Sequence, residues 1–185
     1  GYSKPCSYWH SMVDVSGGAI FDWGSHFIDQ ILAIIPGKID SVTGINQKRL
    51  WTHVTNADHA DVSITFANGV RATFTNSDLA AARKPKFYVL GTTGAIIGNW
   101  DPAAGSAPAD LPAILTIHRA DGTSEVITNT APTPYSFHKG VVEYLNHQTP
   151  MSVTTAQSRD VVAIMQAAEE SAQSNGRSVT PSLLR

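Results

Sequence analysis

Asp22, His26 and Asp29 stand at i, i+4 and i+7 in the segment Gly17–Gln30, GGAIFDWGSHFIDQ. On a helix that starts near Asp22, this spacing puts all three on one face. Phe27, Ile28, Ile31, Leu32 and Ile35 recur at helical spacing around them and are strongly apolar. A titratable ridge thus runs along a mostly buried element, where ionisable groups are costly unless paired or functional. A carboxylate one turn before a histidine can orient the imidazole. By favouring the imidazolium it also strengthens the ring as a proton acceptor. Hydride transfer from a carbinol needs such a group, because the hydroxyl must lose its proton as the hydride leaves. Taken alone, an Asp–His pair at this spacing is more often structural: a carboxylate favoured by the helix N-terminus and a satisfied core histidine.

Other chemistries find less support. The seven histidines, His10, His26, His53, His59, His118, His138 and His147, form no H-E-x-x-H or other compact zinc signature, so no metal is expected. There is no G-x-S-x-G elbow for nucleophilic hydrolysis. Gly91-Thr92-Thr93-Gly94 reads as a turn between strands, since it lacks both G-x-G-x-x-G and the P-loop lysine. Trp9, His10, Trp23, Trp51 and Trp100 are candidates to line a sugar site, where an apolar ring face packs on aromatics. Trp9 and His10 lead that group because they lie just before the Gly17-Gly18 hinge.

The elements that must position these residues follow from periodicity. Pro36-Gly37 stops the first helix, and Ile39–Ile45 alternates as a strand. Ala60–Ala67 alternates with Val62, Ile64 and Phe66 on one side. Asn68-Gly69 reads as a two-residue turn, and Val70–Thr75 returns. Phe87–Leu90 pairs with Ala95–Ile97, and Leu115–Arg119 pairs with Ser124–Thr128 across Asp121-Gly122. Trp100–Pro112 is rich in Pro, Ala, Gly and Asp and reads as a loop. Phe137–Asn146 is a short helix with Val141, Val142 and Leu145 as its stripe. Thr154 and Gln157 fit a capping box ahead of a long helix carrying Val161, Ile164, Met165 and Ala168 inward, with Gly176 as its C-cap. The expected class is α+β: a large open, mainly antiparallel β-sheet with helices packed on one face. The other sheet face is either solvated or buried against another subunit.

Composition bounds the partners. The chain has 185 residues, 42 % hydrophobic and 15 % charged, with a formal net charge of −2. That balance describes a globular domain with a substantial core and argues against nucleic acid or an anionic membrane as partner. No apolar run approaches the ~18 residues of a membrane helix. Cys6 is the single cysteine, so no intrachain disulfide is expected and a reducing, cytoplasmic setting fits. The chain opens at Gly1 rather than Met, which fits a domain taken from a longer protein.

The stretch GGAIFDWGSHFIDQIL resembles the segment that opens the C-terminal domain of the Gfo/Idh/MocA oxidoreductases, glucose–fructose oxidoreductase, inositol dehydrogenase and their relatives. That pattern is a glycine run followed by D-x-G-x-H-x-x-D, here Asp22-Trp23-Gly24-Ser25-His26-Phe27-Ile28-Asp29. ADHADVSITFANGVRATFTNS resembles the family's central hairpin and KFYVLGTTGAI its v-x-G-T-x-G strand pair. The closing segment from Thr149 is similar to its last helix and tail.

The resemblance implies a C-terminal substrate-binding and oligomerisation domain over residues 1–185. The N-terminal Rossmann domain that holds NAD or NADP would be absent from this chain, and the substrate would lie between the two. It implies His26 as acid/base, Asp22 assisting or binding substrate hydroxyls, and a more structural Asp29. Trp9 and His10 join Asp22 and His26 as expected substrate-binding residues. The implied reaction is hydride transfer on a sugar, polyol or inositol-like substrate, with a homodimer or homotetramer formed through the sheet face. Neither G-x-G-x-x-G nor the family's Glu-Lys-Pro motif is present. No cofactor is therefore expected on this chain, and the chain alone is expected to be inactive. A non-catalytic ligand-sensing or dimerisation domain on the same scaffold is the alternative.

Overall fold

The computed structural model describes residues 9–104, 111–128 and 133–184. Cys6 and the middle of the Trp100–Pro112 loop lie outside them. The chain divides into two compact units, Gly1–Ala81 with Thr149–Arg185, and Ala82–Gln148.

The first unit begins with a 3-10 turn, Trp9–Ser11, and a one-turn helix, α1 (Val13–Ser16). Gly17 ends α1 in the left-handed region at φ +81, and Gly18 at φ +115 precedes α2 (Ala19–Ile34). The expected hinge is thus a helix-to-helix corner, which only glycine turns without strain. Three antiparallel strands follow, β1 (Ile39–Gln47), β2 (His59–Phe66) and β3 (Arg71–Ser77), in the order β1-β2-β3. The last helix of the chain, Thr155–Gln173, packs with α2 on one face of this sheet. Its expected capping box is present: Gln157 N–H donates to Thr154 Oγ1 at 3.2 Å, and Thr154 N–H to Gln157 Oε1 at 2.7 Å. The helix ends at Gln173, with Ser174 as the capping residue. Gly176 stands two residues further on at φ +76 and returns its N–H to Ser171 O.

The core is the face the alternation marks. Val62, Ile64 and Phe66 are buried against Ile20 and Ile28 of α2 and Val161, Ile164, Met165 and Ala168 of the last helix. The β2–β3 register corrects one expectation. Val62 pairs with Phe74 and Ile64 with Ala72, and Phe66 N–H donates to Val70 O. The loop is therefore Ala67-Asn68-Gly69, three residues with Gly69 at φ +85, not the two-residue Asn68-Gly69 turn. A two-residue turn would have placed Thr73 and Thr75 in the core and sent Ala72 and Phe74 outward. Burial of Phe74 decides against it. The Ala120-Asp121-Gly122 loop is built the same way, with Gly122 at φ +86.

Close approach fixes β1 to the last helix. A Cβ on Gly44 would stand 2.1 Å from Ala168 O, and Gly44 N–H donates to Ser171 Oγ at 2.9 Å.

The second unit is a four-stranded antiparallel sheet, β4 (Phe87–Leu90), β5 (Gly94–Asn99), β6 (Ile114–Arg119) and β7 (Ser124–Ile127), paired in chain order. It also contains α3 (Ser136–His147), which makes the Thr155–Gln173 helix α4. The expected stripe of α3 is not buried: Val142 and Leu145 lie exposed. The class is α+β as expected, with the strands carried by two antiparallel sheets among the described residues.

Candidate functional site

Asp22 sits in the first turn of α2, where the helix N-terminus favours its charge. The 3-10 turn Trp9–Ser11 brings His10 to it, with Nδ1 at 2.7 Å from Asp22 Oδ1. Trp9 stacks on the His10 ring, centroids 3.6 Å apart. The partner of Asp22 among the described residues is therefore His10, not His26. The reason lies in side-chain direction. A helical Cβ tilts toward the N-terminus, so a short Asp side chain reaches back past the start of α2 and not forward to the next turn. His26 lies exposed beside the Trp23 ring, centroids 5.7 Å apart, and Asp29 is exposed one turn further on.

A polar recess opens where His10 and Asp22 meet. Its walls include Ser11, Trp51, Asn56, Asn76 and Asp78, and its volume is about 20 Å³, the room of a single water. Several of these groups are held by hydrogen bonds within the chain. Asn56 Nδ2 donates to His10 O at 2.8 Å, and its backbone N–H donates to Ser11 O. Asn76 Nδ2 donates to Ala19 O at 3.2 Å, tying the end of β3 to the start of α2.

Behind the recess lies Asp58, 1 % exposed. Its carboxylate accepts the backbone N–H groups of Arg49, Leu50 and Trp51 at 2.7–3.0 Å. Burial alone would raise its pKa, but these N–H donors, Trp51 foremost, together outweigh burial and hold it below the usual Asp value. This shapes the β1–β2 connection and sets Trp51 in the recess wall. Asp78 stands opposite Asp58, its N–H donating to Asp58 O at 3.1 Å. Burial pushes the Asp78 carboxyl up, and the charges of Asp22 and Asp58 push it further, with His10 opposing.

The sequence reading missed Asp58 and Asp78. Their signal was there, at the base of a recognised hairpin, but a two-residue turn places Asp58 opposite Leu79.

A dinucleotide needs a glycine-rich turn from a strand into a helix N-terminus. The described glycines do not build one. Gly91–Gly94 closes β4 onto β5, and Gly17-Gly18 joins two helices. Among the described residues no group of three His, Cys, Asp or Glu is placed to hold a metal ion, and no helix is long and apolar enough to cross a membrane.

With this geometry in place, comparison with known proteins is decisive for the family. Residues 2–97 match the model of the GFO/IDH/MocA C-terminal domain. The chain belongs to the Gfo/Idh/MocA family. It is similar to the scyllo-inositol 2-dehydrogenase (NADP(+)) IolW of Bacillus subtilis, 23 % identical over 181 residues, covering 89 % of this chain and 50 % of IolW. A solved NAD-binding protein from Listeria innocua superposes with a TM-score of 0.73 at 24 % identity, covering 96 % of this chain and 51 % of that one. The structure of yvaA from Bacillus subtilis gives 0.81 at 17 % identity, covering 98 % and 55 %. These superpositions establish the shared fold. The chain spans about half the length of these three proteins.

Proposed function

We propose that the full-length protein is an NAD(P)-dependent oxidoreductase acting by hydride transfer on a sugar, polyol or inositol-like substrate. This domain supplies the groups that bind the substrate and handle its hydroxyl proton. The observation that carries the reading is the His10–Asp22 contact of 2.7 Å at the wall of a polar recess, in a chain of this family. The name of IolW points to an inositol as the substrate class.

In this reading Asp22 is held by His10 and accepts a hydrogen bond from a substrate hydroxyl, a charge-assisted contact. Trp9, stacked on His10, offers an apolar face to the ring of the substrate. His26, exposed on the next turn of the same helix, is the acid/base. In the same reading NAD or NADP is held by another part of the full-length protein, and this chain alone is expected to be inactive. A reducing, cytoplasmic setting belongs to the same reading.

Reduction of NAD or NADP by the full-length protein, with scyllo-inositol and a panel of aldoses and polyols, tests it. His26→Ala is expected to lower kcat by about a hundredfold or more. His10→Ala is expected to act mainly on KM. Normal oxidation across pH by the His26→Ala protein would remove His26 from the chemistry.

A homodimer or homotetramer through the sheet face is also proposed. Tyr88, Leu90, Ile114 and Val126 lie exposed on one face of the β4–β7 sheet, an apolar surface of the kind that marks association.

A further inference from the structure

We propose that Asp78 is a ligand-positioning residue of the recess, holding an oxygen of the same polyhydroxylated ligand that Asp22 and His10 face. This inference rests on the oxidoreductase reading above and adds to it a residue that the family motif does not contain.

The argument starts from how the polar groups around the recess are used. Asp22 is engaged by His10, Asn56 by His10 O, Asn76 by Ala19 O and Asp58 by three backbone amides. The Asp78 carboxyl makes no side-chain hydrogen bond or ion pair among the described residues, although it lines the same recess. Its backbone is not loose, since its N–H is tied to Asp58 O and the adjacent Asn76 is tied to α2. A partly buried carboxyl beside a second carboxylate costs stability, and His10 offsets that cost only in part, since burial and Asp22 outweigh it. Such a group in a fixed place is what a binding site leaves for its ligand.

Among the described residues, the charged groups facing Asp78 are Asp22 and His10 on the recess wall and Asp58 behind it. Burial and the acids beside it make Asp78 a weaker acid than usual. A protonated carboxyl donates to an alcohol or carbonyl oxygen, while Asp22 accepts from a hydroxyl. In its protonated form Asp78 thus offers an oxygen of the ligand a donor beside the acceptor that Asp22 offers. The recess has room for one hydroxyl-sized group, so it reads an edge of the ligand and leaves the ring outside.

Two measurements test this. Thermal unfolding of the 185-residue chain compares wild type with Asp78→Asn. A ligand-positioning role predicts a higher Tm for the variant at neutral pH, because an amide carries neither the charge that Asp22 repels nor the cost of taking up a proton to avoid it. A lower Tm would make Asp78 part of the scaffold and overturn the inference. In the full-length protein with scyllo-inositol, Asp78→Ala is expected to raise KM about tenfold, with a smaller change in kcat and partial recovery in Asp78→Asn. An unchanged KM would also overturn it. If the wild-type protein oxidises no polyol with either cofactor, the oxidoreductase reading fails on its own evidence. The direction of the Tm shift then still decides whether Asp78 is held for a ligand.

Discussion

Asp58 shows how one side chain can organise a recess it does not enter. Three backbone amides converge on a carboxylate that is 1 % exposed, and they set Trp51 in the wall. Hydrogen bonds to a charged acceptor are worth about 1.5–3 kcal/mol each when broken. Asp58→Ala is therefore expected to destabilise the chain by about 3 kcal/mol or more, read by urea denaturation. The pH dependence follows from the lowered pKa. An acid more acidic when folded stabilises fully above its unfolded value, near 3.9, and that stabilisation is lost as pH falls through the folded value. Wild type should thus lose stability below about pH 4 faster than Asp58→Asn, as measured by Tm against pH.

The residue scale is also where the sequence is least legible. Asp22 and His26 announce themselves by spacing, yet spacing does not say which way a short side chain points. His10 reaches Asp22 through a 3-10 turn twelve positions upstream, and no periodicity encodes that contact.

Elements were easier to read, because burial enforces their periods. Val62, Ile64 and Phe66 point inward as alternation requires, and Val161, Ile164, Met165 and Ala168 do so on the helical period. The turn was harder. Asn68-Gly69 satisfies a two-residue hairpin locally, and only the need to bury Phe74 selects the three-residue loop. Tertiary packing overrode a local signal there, and the position of Asp78 went with it. Gly44 is a further case, since nothing in IDSVTGINQ shows that a helix backbone lies against it. Gly44→Ala would place a methyl group 2.1 Å from Ala168 O, where neither backbone can yield cheaply. The substitution is expected to cost about 3 kcal/mol or more, with loss of the β1–α4 contact visible as faster amide exchange in both elements.

At the scale of the whole molecule, the two units differ in how their sheets are finished. In the first unit, α2 and α4 cover one sheet face, and the other carries Ser63, Thr65, Thr73 and Thr75, with Thr75 donating to Asp61 and Arg71 to Ser63. In the second, Tyr88, Leu90 and Val126 stay exposed. The association proposed above belongs on that apolar sheet face. Sedimentation velocity of the chain should show a dimer or tetramer, and Leu90→Lys with Val126→Lys should return it to monomer while leaving the circular dichroism unchanged. A wild-type chain that sediments as a strict monomer would remove this face as the interface.

The bond from Gly44 to Ser171 also dictates an order of events during synthesis. It joins residues 127 positions apart, and the second unit is translated in between. A growing chain that has made β1, β2 and β3 holds Val42, Ile64 and Phe66 with only α2 to cover them. The missing half of the lid arrives with α4, which is translated after the whole of the second unit. Until then the half-built unit keeps part of its apolar sheet face bare, the state in which a nascent chain is most open to wrong association.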